Sequence, residues 1–144
     1  MSDLTDICTR IRTQYLDPNK YAVEDDTLEE AVRSALSDIS RVYENPHTLE
    51  GLDGALATTL PERDIPVLMT GASGYVLTIL LQYCFSHYTP SLVDDANLMK
   101  AEHHMNARFK TLLTELRMDD FQRSQACPHI DWEWHDLAPW ETAD

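Results

Sequence analysis

At 144 residues the chain has the length of one domain and can bury an ordinary core without disulfide or metal staples. Eleven Lys and Arg against 25 Asp and Glu give a formal charge of -14, which repels a phosphate backbone and argues against a protein that grips nucleic acid. Cys8, Cys84 and Cys127 form neither an even set nor a close pair, so a reducing compartment is expected, and an N-terminus with Asp3, Asp6 and no apolar run does not read as a secretory signal.

The first helix is expected from about Asp3 to Leu16. Leu4, Ile7, Cys8, Ile11 and Tyr15 recur at three and four, Ser2 or Asp3 can cap the start, and Asp17-Pro18-Asn19 ends it. Residues up to Asp26 form an acidic connector, in which Glu24-Asp25-Asp26 complements the dipole of the next helix and lacks the alternating ligands of a calcium loop. Thr27 and Glu30 have the spacing of a capping box, so a second helix is expected to start there and run to about Glu44, before Asn45-Pro46. Its apolar stripe is Leu28, Ala31, Val32, Ala35, Leu36, Ile39, Val42 and Tyr43. Residues 47 to 63 carry too many breakers for a helix, and Asp53-Gly54 is a hairpin-turn signal, so an irregular excursion or a short hairpin is expected.

A third helix is expected from Asp64 to about Tyr88, with Pro66 in its first turn. Its apolar residues wrap most of the circumference, as in a helix buried on nearly all sides. The length would also span a membrane, but Thr70, Ser73, Thr78 and Gln82 dilute the stretch and no basic cluster flanks it, so a core helix is the reading adopted. Gly71 and Gly74 weaken a helix interior by about 1 kcal/mol each, which points to a close approach by another backbone. That approach is either a crossing inside the monomer or packing against a neighbouring subunit. Thr89-Pro90-Ser91 breaks the chain. A long fourth helix then follows from about residue 92 to 117, with Leu98, Ala101, Met105, Phe109, Leu112 and Leu116 as its seam.

From Met118 the helical period disappears, and the chain divides into a helical core, 1-117, and an extended acidic arm, 118-144. The last 27 residues carry a net charge of -6 and all three tryptophans. As a strand the arm would show Ile130, Trp132 and Trp134 on one face, and Leu137 and Trp140 continue the apolar series. Tryptophan is rich in interface hot spots, so these five residues are the candidate partner-binding set, folding back on the bundle or docking on another chain.

No chemistry motif reaches the strength of these architectural signals. Cys127, His129 and His135, with His103 or His104, make one ragged set where structural zinc wants two close pairs, and no metal or other cofactor is expected. His103 and His104 point about 100° apart on a helix, which suits one solvated ring and one packed at an interface. Gly71-Ala72-Ser73-Gly74 has neither the strand and Lys-Ser/Thr ending of a phosphate loop nor the form of a nucleophile elbow. An enzyme is not expected.

The order of parts, TLEEAVRSALSDISRVYENP, an irregular segment closing in TTLPERDIPVLMTGASGYVLTIL, then a long amphipathic helix, resembles the small helical head-tail connector (adaptor, or head-completion) proteins of tailed bacteriophages across about residues 2 to 117. The resemblance implies an all-α, four-helix bundle-like subunit of the virion, assembled in the host cytoplasm into a homo-oligomeric ring, typically of twelve. That ring sits under the portal protein, extends the DNA channel and receives the next tail or stopper protein. It also implies a C-terminal arm that reaches the portal, and no catalytic residue is carried over. An acidic wall would let DNA pass without specific binding, Gly71 and Gly74 are candidates for subunit packing, and no membrane is involved. The alternative is an acidic cytosolic regulatory module that binds a protein partner through its C-terminal tail.

Overall fold

The computed structural model describes residues 2-16, 23-87 and 95-124. Among these it is all-α: a four-helix bundle of α1 (Leu4–Tyr15), α2 (Asp25–Val42), α3 (Ile65–His87) and α4 (Asp95–Arg123), with a single 3-10 turn, Glu62–Asp64, ahead of α3 and no strand.

Helix α1 starts where Asp3 accepts a hydrogen bond from the Asp6 amide at 2.7 Å. Its inner face is Ile7 and Ile11, with Arg12 buried beside them. Helix α2 begins earlier than its sequence suggests. The helix opens at Asp25 with Glu24 as its N-cap residue, and no capping box forms at Thr27. Asp25 and Asp26 already set negative charge against the first turn, and Arg12 holds the Asp25 carboxylate at 2.7 Å. Glu30 pairs instead with Arg33, which also reaches Glu29 and Asp53. The buried residues of α2 are Leu28, Ala31, Val32, Ala35, Leu36 and Ile39, the stripe read from the sequence, with Val42 and Tyr43 partly covered at its end.

Between α2 and α3 the expected irregular excursion forms, without a ladder. Its Asp-Gly turn is present: Ala55 donates to the Leu52 carbonyl at 2.9 Å across Asp53 (φ 52) and Gly54 (φ 78), two left-handed residues that a primed turn requires. Leu49, Leu52 and Leu60 anchor the loop in the core. Thr58 accepts from the Glu50 amide and donates to the Ser2 carbonyl, while Leu4 donates to the Glu50 carbonyl, so the loop is knitted to the start of α1.

Helix α3 passes through the centre, with Ile65, Val67, Leu68, Met69, Ala72 and Val76 buried. Thr70 and Ser73 are buried too, each hydroxyl donating to the carbonyl four residues earlier, which satisfies it inside the helix. The segment Glu62–Cys84 is long and apolar enough to cross a membrane by length and composition, and 67% of its most apolar 18-residue window is buried within the bundle. The all-round cover expected from its composition holds only for the first half. Beyond Val76, Leu77, Ile79 and Leu80 are half-buried and Tyr83 is 59% exposed.

Helix α4 runs six residues past the expected end, so residues 118-123 belong to the helical body and not to an arm. The apolar period fails there because the pattern is inverted: Met118 and Phe121 face outward while Asp119 and Asp120 are half-buried. Charge holds the last turns, with Asp119 paired to Arg123 at 3.1 Å and to Arg63 at 3.7 Å. Phe109 and Leu116 are the buried seam residues, flanked by Leu112 and Leu113, and Ala101 is exposed.

Candidate functional site

The α3/α4 pair is the longest interface in the bundle, and its register follows from three contacts. Gly71 lies against the Phe109 ring, Gly74 against Asn106, and Thr78 against Glu102. Each step forward on α3 matches an equal step back on α4, so the helices are antiparallel. A Cβ added at Gly71 would sit 2.5 to 2.9 Å from three ring atoms of Phe109, and one at Gly74 would sit 2.5 Å from the Asn106 amide oxygen. Both glycines are therefore buried at a crossing inside the chain. Of the two alternatives the sequence leaves open, the structure has the intrachain one, and the subunit-packing role is corrected: α4 of the same chain already occupies the space the glycines create.

Polar groups line the crossing. Asn106 donates to Glu102 at 2.6 Å and to Thr78 at 3.2 Å, while the Thr78 hydroxyl lies 3.0 Å from Glu102 and 3.1 Å from the Gly74 carbonyl, either of which can accept its proton. Beside this network a cleft of about 590 Å³ opens between α2, α3 and α4. Tyr75 donates to Asp38 across it, and that bond, with partial burial, pushes the phenol up to about 12, so it stays protonated at neutral pH. His103, Ala107 and Lys110 form its outer rim.

A second cleft, about 310 Å³, lies at the foot of α4 between Arg63, Val67, Leu112, Glu115, Leu116 and Arg123. Behind it Tyr43 donates to the buried carboxylate of Asp64 at 2.6 Å, and Arg63 links Asp64 to Asp119. Burial and the bond to Asp64 raise the Tyr43 phenol, against the neighbouring Arg63. The chain Tyr43–Asp64–Arg63–Asp119–Arg123 thus ties the end of α2 to the end of α4.

In both clefts polar groups pair with one another, while His103 and Lys110 on the rim of the first and Glu115 beside the second stay exposed. Among the described residues no three His, Cys, Asp or Glu side chains gather as a metal site. His103 and His104 are both exposed, so the expectation of one packed ring is not met within the subunit. Ile130, Trp132, Trp134, Leu137 and Trp140 lie outside the described residues, as do Cys127, His129 and His135. Sequence reasoning missed Asn106, Asp38 and Asp64. Each is a polar residue at a helical position whose partner is 21 to 37 residues away or on another helix, and no local pattern announces such a pairing.

Compared with known proteins, the chain matches no protein-family model, no curated protein and no solved structure.

Proposed function

We propose that this chain is a structural assembly subunit, a head-tail connector of a tailed bacteriophage that forms a ring beneath a portal, extends the DNA channel and receives the next tail component. The observation that carries an assembly role is the unfinished cover over α3. The most apolar helix of the chain leaves Leu77, Ile79 and Leu80 half-buried and Tyr83 59% exposed, and Met99 of α4 is 51% exposed. A soluble subunit with an apolar helix end open on one side gains by burying it against further protein. The phage-specific part of the reading rests on the resemblance in order of parts. The arm with Trp132, Trp134 and Trp140 would supply a tether whose effect multiplies over repeated subunits.

The test is the native mass of the full chain over a concentration series, with negative-stain images of the same samples. Rings of about a dozen subunits are expected from the resemblance. A monomer or dimer at every concentration would overturn the connector reading.

A further inference from the structure

The charge of the chain is unevenly placed. On the described part of residues 2-62, ten carboxylates are exposed, Asp3, Asp6, Glu24, Asp26, Glu30 and Glu50 among them, against one exposed cation, Arg41. Among the described side chains of α4, residues 96-123, the balance reverses: five cations are exposed and one carboxylate, Glu115, which faces the foot cleft.

Helical spacing gathers the outward residues of α4 into one stripe. Lys100, His103, His104, Ala107 and Lys110 occupy its first part, and all are exposed. Thr114, Met118 and Phe121 continue it, with Met118 56% and Phe121 52% exposed. From Lys100 to Phe121 the stripe runs about 32 Å at 1.5 Å per residue, and no Asp or Glu falls in it. In a chain of 25 acids and 11 bases, a whole acid-free helix face ending in two exposed apolar side chains is a docking surface for something acidic.

From this complementarity we infer that the partner is a second copy of this chain: the outward stripe of α4 on one copy seats against the acidic side built by α1, the start of α2 and the loop of the next. The inference rests on the assembly reading above and assigns its contact. The two surfaces lie on different elements of one subunit, so the contact is heterologous. Such a contact repeats from copy to copy and closes into a ring when the rotation allows. Met118 and Phe121 supply the desolvated anchor, and the charges set register and speed of encounter. The chain's net charge of -14 opposes association at long range, so local pairing of the opposite faces is what lets identical acidic subunits approach.

The experiment uses the full chain and two surface-reversed variants, K100E/K110E on the stripe and E24K/E30K on the acidic side, each checked for wild-type helix content. Sedimentation equilibrium at about 50 and 500 mM NaCl is expected to show wild-type association at least tenfold weaker at high salt, where screening shortens to a few ångströms. Each variant alone is expected to lose association at least tenfold. Mixed together, the intact stripe of one variant seats on the intact acidic side of the other and the two reversed faces are again opposite in charge, so the mixture is expected to regain association that neither variant shows alone. An oligomer indifferent to both reversals and to salt overturns this contact and leaves the connector reading standing, whereas a wild-type monomer throughout overturns both. If E24K/E30K fails to fold, K100E/K110E with the salt series decides alone. A random-sequence DNA duplex, followed by fluorescence anisotropy, covers the other acidic occupant. Duplex binding lost in K100E/K110E while self-association is unchanged would give the stripe to nucleic acid and overturn the proposal.

Discussion

Replacing Gly71 by alanine tests the α3/α4 crossing directly. Away from a contact the change would favour the helix by about 1 kcal/mol, because alanine loses less backbone freedom on folding. Here the new Cβ meets Phe109 Cε2 at 2.5 Å, Cζ at 2.6 Å and Cδ2 at 2.9 Å, roughly 1 Å inside ordinary carbon contact. The ring cannot simply swing aside: Phe109 is 5% exposed and stands edge-on to Tyr75 with centroids 6.5 Å apart. Helices must separate, at an overpacking cost of about 2 to 4 kcal/mol including a backbone shift, which leaves Gly71→Ala less stable by about 1 to 3 kcal/mol. Phe109→Leu removes the clashing Cε2 and Cζ atoms at its own cost of roughly 1 to 2 kcal/mol. On that background Gly71→Ala should become neutral or favourable, a coupling of about 2 kcal/mol in a double-mutant cycle read by urea unfolding with far-UV circular dichroism. A Gly71→Ala protein as stable as the wild type, with no coupling to Phe109→Leu, would refute the crossing. Gly74→Ala is the internal contrast: its Cβ meets the far end of Asn106, whose departure costs only hydrogen bonds, so a change within about 1 kcal/mol of zero is expected.

Three further perturbations probe the polar groups. Tyr75→Phe should cost about 1 to 2 kcal/mol by removing the bond to Asp38. The folded state raises this phenol from 10.0 to about 12, so its contribution is complete below the lower value and drains away as pH climbs through the upper one; the variant should flatten that alkaline loss in unfolding curves taken across the range. Arg12→Met should be neutral or stabilising by up to about 2 kcal/mol. The guanidinium is 5% exposed with Nε and Nη1 unpartnered, and its one carboxylate, Asp25, is 65% exposed and stays hydrated without it; a thermal midpoint well below the wild type would refute this. Asp64→Ala should cost about 2 to 3 kcal/mol, since Tyr43 loses its acceptor and Arg63 loses a partner in the tie to α4, and a melt unchanged from the wild type would refute it.

Helix existence and inner faces were legible because burial in this fold follows period. The α2 stripe needs no tertiary information: six apolar residues at three and four can only share one face. The Asp53-Gly54 turn was legible for a similar reason, being a local demand for positive φ, while the missing ladder around it depends on the Thr58 and Glu50 bonds to residues 2-4, which no local pattern encodes. Where tertiary charge competes with local signals, the sequence misleads. The capping box at Thr27 is well formed on paper, yet Asp25 has Arg12 across the helix boundary and the N-cap moves back three residues, to Glu24. Arg12 itself interrupts the apolar face of α1 from inside, a position for which no period gives warning. Of the candidate site, Gly71 and Phe109 could have been matched in advance, since one demanded a close approach and the other sat on the expected seam. Asn106 over Gly74 could not, because a polar residue on a seam reads as noise until its partners Thr78 and Glu102 are in place.

The net charge misleads in the same way, by averaging. At -14 the chain reads as uniformly acidic, and from that follows a channel wall that sheds DNA. Yet five of its eleven cations are exposed on α4, in a helix whose inner side keeps Glu102, Asp119 and Asp120 in ion or hydrogen-bonded contact or half-buried. Drawing the acids inward leaves Lys100 and Lys110 outward without a neutralising neighbour on the stripe. The same placement breaks the apolar period at Met118 and exposes Phe121, so the disappearance of the helical pattern and the appearance of a basic face have one cause: Asp119 and Asp120 are drawn inward while Met118 and Phe121 face outward. If a ring forms through that face, the wall that remains toward the channel is drawn from the acidic surfaces left uncovered, and reversal of the stripe should disassemble the ring before it alters the fold of the subunit.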